Sequence, residues 1–244
     1  MTDVSSEVKD LDRVCITFDI DWAPDDIIKY IVELLEEYQI KATFFATHKS
    51  TFLKSLDRKN YEVGLHPNFE RCNDYDKAIS DLKRIYPEAV GARAHGLVQS
   101  TRIYRLLIAN GLKYDVTTYI PLRENLYPWV RLKKLVVIPS YLEDDSLFLS
   151  EHDFTLSELQ IDKKGLKIYD FHPIHVFMNT QSIEHYKRYK PFYHEPDNLI
   201  NYKGKGRGIQ TLFTELLQLL QRKKMNTYTC EEICKEYLVQ SGML

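Results

Sequence analysis

Short apolar runs alternate with amphipathic segments along most of this chain, and that alternation limits the fold more than any other feature. Val14-Cys15-Ile16-Thr17-Phe18 reads as a buried strand. Across 24–38, Ile27, Ile31, Leu34, Leu35 and Tyr38 recur at helical spacing, and Pro24, Asp25 and Asp26 suit a first turn. Further strands are predicted at 42–47, 61–65, 89–93, 113–118, 135–138 and 166–171. Helices are predicted at 75–85, at 101–110 with Gly111 closing it, and at 209–221. A last short strand at 227–229 precedes a helix from Cys230. Strands alternating with helices imply an α/β fold with a largely parallel sheet, and about seven such units predict a distorted (β/α) barrel. The stretches 120–131 and 173–197 read as irregular. The second carries Phe177, Tyr186, Tyr189, Phe192 and Tyr193, which either stack on sugar rings over the barrel mouth or pack the loop down.

The 244 residues, 44% hydrophobic, suffice for one domain, placed at 13–244 behind a polar, acidic tail at 1–12. A net charge of −2 implies no nucleic acid as partner. The basic cluster Lys203-Gly204-Lys205-Gly206-Arg207 reads as a mobile loop rather than a nucleic-acid site, with an anionic substrate group as its alternative partner. No run approaches the length of a membrane span and the first residues contain no apolar leader, so a cytoplasmic protein is expected. Cys15, Cys72, Cys230 and Cys234 form no C-x-x-C pair. Reduced thiols are the expectation, rather than a zinc site on Cys230 and Cys234.

The polar residues gather after strands. Asp19 and Asp21 end the first apolar run, where strand alternation turns both to one side. Two like charges so placed persist where a metal, a proton or a cation neutralises them. His66, then Arg93 and His95, then Glu143-Asp144-Asp145, then His172 and His175 follow later predicted strands. In a barrel, that end of the strands carries the chemistry.

These segments resemble the motifs of the polysaccharide deacetylase superfamily, the NodB-homology domain. Thr17-Phe18-Asp19-x-Asp21 is similar to the first motif, T-F-D-D, with one residue inserted between the acids. Gly64-Leu65-His66 resembles the second, G-x-H; Arg93-Ala94-His95-Gly96 the third, R-x-P-x; and Tyr169-Asp170-Phe171-His172-Pro173 the last, an apolar strand ending in His. Order and spacing match from Val14 to His175, nearest to a branch associated with bacterial surface-polysaccharide gene clusters. The resemblance implies a metal-dependent carbohydrate N-deacetylase. Such an enzyme holds one divalent metal, usually Zn2+, and hydrolyses an N-acetyl or related acyl group from an amino sugar. It also implies Asp19 as general base, Arg93 as the residue orienting it, His172 as general acid, and Asp21 and His66 as metal ligands.

The departures bear on the third ligand. Where the family has a second His four residues after the first, this chain has Glu70, with Asn68 nearer. His95 stands where the family has Pro, and His175 is additional. Asn68, Glu70, His95 and His175 are the candidates, with a His preferred because imidazole suits zinc better than a carboxamide. Asp144, His175 and Trp22 are candidate substrate-binding residues, with Asp144 either in a pocket wall or paired with His172. The expected substrate is an acetylated amino sugar, nucleotide- or lipid-linked. The rival readings are a carbohydrate-binding barrel without catalysis and a metallohydrolase for another amide or a phosphoester.

Overall fold

The structure is a computed structural model, and it describes residues 11–70, 72–149 and 152–243. Most of the tail at 1–12 therefore lies outside the described residues. Of its last two, Leu11 is buried and Asp12 Oδ1 receives Lys167 Nζ at 2.6 Å.

The chain runs β1 (Val14–Asp19), α1 (Asp25–Glu37), β2 (Ala42–Ala46), α2 (Thr51–Ser55), β3 (Tyr61–Leu65), α3 (Tyr75–Ile85) and β4 (Gly91–Ala92). It continues through α4 (Thr101–Ala109), β5 (Tyr114–Asp115), β6 (Trp129–Arg131), β7 (Leu135–Val137), β8 (Leu142–Glu143) and α5 (Asp144–Leu149). Last come β9 (Lys167–Phe171), α6 (Pro173–Met178), α7 (Ile183–Tyr189), α8 (Pro196–Leu199), α9 (Ile209–Arg222) and α10 (Cys230–Gln240).

Every residue of β1, β2, β3 and β9 is buried, which is why these strands read as nearly unbroken apolar runs. Helix starts are fixed by side chains. Ser50, Asp74 and Ser100 accept the third N–H of α2, α3 and α4, and Thr229 forms a capping box with Glu232 on α10. α9 buries seven residues, among them Phe213, whose ring meets Phe18 and Phe171 edge-on.

The sheet order is β6-β7-β5-β4-β3-β2-β1-β9-β8, parallel throughout except between β6 and β7. The curled sheet agrees with the predicted class. Its nine strands exceed the predicted seven for two physical reasons. β6 is an antiparallel flank inside the stretch read as irregular. β7 and β8 are two parts of one bent segment, interrupted at Pro139, which has no N–H for a ladder. Its first part pairs with β5 and its second with β9, so it brings the two margins of the curl together.

Other expectations are corrected as well. The stretch 173–197 is mostly helical, holding α6, α7 and the start of α8. The strand predicted at 227–229 is a single bridge, Val14 to Thr227. The basic loop at 203–207 is pinned. Asn179 Nδ2 donates to the carbonyls of Gly204 and Gly206, Gln181 Nε2 to those of Lys205 and Arg207, and Arg207 pairs with Glu215 at 2.8 Å. All four cysteines are free, and Cys15, Cys230 and Cys234 are buried. Among the described residues, no helix is long and apolar enough to cross a membrane.

Candidate active site

Because the barrel strands are parallel, their C-terminal ends share one mouth. Asp19 closes β1, His66 follows β3, Arg93 follows β4, Asp144 follows β8 and His172 follows β9. Backbone bonds carry the ladder one step past β3 and β4: His66 N–H donates to Ala46 O at 2.8 Å and Arg93 N–H to Leu65 O at 2.9 Å. The candidate side chains thus follow directly on the hydrogen-bonded ladder.

Three groups meet there. The first is Asp21, His66 and His95. Asp21 Oδ1 lies 3.3 Å from His66 Nε2 and 3.2 Å from His95 Nδ1, and the two imidazole nitrogens are 3.3 Å apart. His66 Nδ1 donates to the carbonyl of Arg93 at 2.8 Å, which leaves Nε2 bare toward the other two. One atom from each of the three lies within 4.8 Å of the others, a spacing that could hold a metal ion. Burial alone would push the Asp21 carboxyl up, but the imidazoles of His66 and His95 at hydrogen-bonding distance, with that of His172 nearby, hold it well below the usual carboxylate range. His95 is raised in turn, chiefly by its hydrogen bond to Asp21. Of the four candidate third ligands, His95 is the one in this group. Asn68 and Glu70 line the pocket beside it, with the Glu70 carboxylate against Gly96, and His175 stands elsewhere.

The second group surrounds Arg93, which is fully buried with its guanidinium 4.7 Å above the Phe45 ring. Arg93 Nη1 donates to Asp19 Oδ1 at 3.1 Å and, more closely, to Asp170 Oδ1. Thr17 Oγ1 donates to the same Asp170 oxygen at 2.8 Å. Burial pulls the guanidinium down, and Asp170 and Asp19 more than offset it, so Arg93 is raised. Burial pushes Asp170 well up against the pull of Arg93. Glu143, beside it in register on β8, is pushed by burial to about 7. Sequence reasoning missed Asp170 because it sat inside an apparently apolar strand. The available signal was its spacing: two residues before His172 on β9, it faces the same way.

The third group is Asp144, Asp145, His172 and His175. Asp144 holds His172 twice, Oδ1 with Nδ1 at 2.7 Å and Oδ2 with the backbone N–H at 2.8 Å. Burial draws His172 down, but the carboxylates of Asp145 and Asp144 carry it well above an ordinary histidine. His172 Nε2 is left facing Asp21 Oδ2 at 3.7 Å. His175 lies behind, buried, with Nε2 3.2 Å from Asp145 Oδ1 and Nδ1 2.8 Å from the Tyr189 hydroxyl. Of the two readings of Asp144, these contacts match the pairing with His172, and Asp145 was not among the candidate site residues. A cavity of about 550 Å3 opens over these groups, lined by Asp21, Trp22, His95, His172, His175 and Tyr193 among others. Trp22, 40% exposed, stands at its rim with its ring edge-on to His95.

A curled, mainly parallel sheet with a strand-end aspartate pair, histidines and a buried arginine at its mouth is the arrangement expected from the resemblance to polysaccharide deacetylases. The chain belongs to the WbmS-like polysaccharide deacetylase family, whose model matches residues 16–190. Among solved structures it is similar to one from Bordetella bronchiseptica, described as a polysaccharide deacetylase involved in O-antigen biosynthesis. That match has 30% identity and a TM-score of 0.77, and covers 86% of this chain and 91% of that one. A polysaccharide deacetylase structure from Mycobacterium smegmatis shares the fold at 15% identity and a TM-score of 0.64, over 97% and 93% of the two chains. A family 4 carbohydrate esterase from Bacillus anthracis shares it at 16% identity and a TM-score of 0.51, over 92% and 83%. No curated protein matches.

Proposed function

We propose that this chain is a metal-dependent hydrolase that removes an N-acetyl or related acyl group from an amino sugar. The observation that carries this reading is the polarity of the mouth. A bare imidazole nitrogen on His66 faces Asp21 and His95, while across the same pocket His172 is backed by two carboxylates. Asp21, His66 and His95 would hold one divalent ion, and two imidazoles with one carboxylate suit zinc. When bound, the ion would supply charge that polarises the acyl carbonyl and favours ionisation of water.

The chain's own groups supply the remaining chemistry. Asp19, 6% exposed and held by Arg93 Nη1, is placed to take the proton of the attacking water. His172 carries a proton at Nε2 for the departing amine, because the carboxylates behind its Nδ1 favour the charged ring. The exposed Trp22 at the rim offers an apolar face to a sugar ring. The relative described as involved in O-antigen biosynthesis supports a precursor of surface polysaccharide as substrate, nucleotide- or lipid-linked. A cytoplasmic location goes with that substrate.

The test is acetate release from a panel of N-acetylated nucleotide sugars by protein loaded with one equivalent of zinc. Release that stops on chelation and returns with zinc is the expected result. Zinc-loaded protein that binds these sugars and frees no acetate from any of them would instead be a carbohydrate-binding barrel.

A further inference from the structure

Asp21 and Trp22 turn the chain out of β1 with φ of +36° and +59°, the left-handed region that residues with a Cβ enter at an energetic cost. Consecutive residues in that region persist where the surroundings over-determine them. The peptide unit joining the two is gripped at both ends. Its N–H, from Trp22, donates to Thr47 Oγ1 at 3.0 Å. Its carbonyl, from Asp21, accepts from the Tyr193 hydroxyl at 2.8 Å. Since a peptide unit is planar, fixing both polar atoms fixes the ψ of Asp21 and the φ of Trp22.

Thr47 lies just past β2, next to β1 in the sheet. Tyr193 comes from 172 residues further along the chain. It follows α7 and the short 3-10 turn Lys190–Phe192, in the aromatic segment whose sequence left two readings open. Its neighbours in that segment contact other rings: Phe192 stacks on Tyr202 at 5.0 Å and Tyr186, which also lines the cavity, meets Tyr189 edge-on at 5.4 Å.

We propose that Tyr193 is a positioning residue for the metal centre: its hydroxyl locks the Asp21–Trp22 corner and so aims the Asp21 carboxylate at His66 and His95. The inference rests on the reading of Asp21, His66 and His95 as a metal set. Ligand distances tolerate only small departures, so a corner free to rotate presents the carboxylate correctly for only part of the time. Tyr193 acts through the backbone of a ligand and touches none of the three ligating atoms.

Zinc affinity is measured by competition with a chromogenic chelator for the wild type, Tyr193→Phe and Phe192→Leu, and unfolding of each is followed with the metal removed. Tyr193→Phe keeps the ring and deletes only the donor. It should weaken zinc binding about tenfold, the lower end of what outer partners of ligands contribute. Phe192→Leu loosens the same segment without touching Asp21, so it should lower the unfolding temperature yet leave zinc affinity within about twofold. Wild-type affinity in Tyr193→Phe overturns the proposal, and so does an equal loss in both variants, which would assign the effect to packing. A wild type that binds no zinc at all refutes the metal set itself, a different failure seen before any variant is compared.

Discussion

His66 and His172 begin alike and end with different partners. Each follows a barrel strand at the mouth, each is held through Nδ1, and each turns Nε2 toward Asp21. The difference is what Nδ1 meets. For His66 it is the carbonyl of Arg93, which accepts a hydrogen bond from Nδ1–H and leaves Nε2 of the neutral ring bare, the form a metal needs. For His172 it is the carboxylate of Asp144 with Asp145 behind, and those charges outweigh burial and favour a ring protonated on both nitrogens. With His66 as ligand and His172 as acid, as proposed, residue type and position on the barrel do not separate the two roles. The outer partner does.

The widest gap should appear when each histidine is removed. His66→Ala and Asp21→Ala each take away a ligand and should abolish stoichiometric zinc binding, and activity with it. His172→Ala and Asp19→Asn should keep the zinc and lose turnover by about 10²–10⁴-fold, the range for a general acid or base. Metal content after dialysis, read beside kcat, checks both halves. Zinc lost from His172→Ala and kept in His66→Ala would reverse the assignment.

A finer comparison leaves the ring and alters only its partner. Asp144→Asn keeps an acceptor for His172 Nδ1 and removes the charge, while Asp145 remains. Zinc content should not change, and kcat should fall about 10–100-fold, less than for loss of the ring itself. The direction in pH is fixed. Those carboxylates raise His172, so removing one lowers it, and the alkaline limb of the kcat profile should move to lower pH. An alkaline limb that stays in place would show that Asp144 serves only to orient the ring.

Much of this was legible in the sequence, for a physical reason in each case. Asp19 and Asp21 stood out because a buried strand ending in two acids is costly unless something neutralises them. The barrel followed from alternating apolar runs, and His66, Arg93 and His172 from their places after strands. What escaped depended on contacts across the fold. Asp170 looked like part of an apolar strand, yet it is the closer partner of Arg93. His95 could not be chosen over His175 because both follow strands. Only the fold sends one toward Asp21 and the other behind Asp145, against Tyr189. The helices at 173–197 were hidden because α6 and α7 are short, with six and seven residues, too few to show a helical period.

The smallest effect lies at the floor of the barrel and tests the same rule where no cation donates to the carboxylate. Glu62 on β3 is 8% exposed and accepts from the Tyr114 hydroxyl, from Thr43 Oγ1 at 2.9 Å and from the Glu231 N–H at 2.8 Å. All three donors are neutral. Burial therefore wins, and its carboxyl is pushed up to about 7, opposite in direction to Asp21 with its imidazoles. A raised carboxyl means that the folded state holds a proton the unfolded chain has already released. The stability this contributes is fully present below the unfolded value and is lost as pH rises through the folded one. Between pH 5 and 7 the loss should be roughly 2 kcal/mol. Glu62→Gln cannot titrate, so its unfolding free energy should fall by about that much less than the wild type's over the same interval. Asp115, also pushed up by burial to about 6, keeps some downward slope in both proteins, so the difference between them is the measurement. Urea unfolding at several pH values supplies it. Parallel slopes would mean that Glu62 stays charged among neutral donors, and that burial, without a charged partner, does not set the proton here.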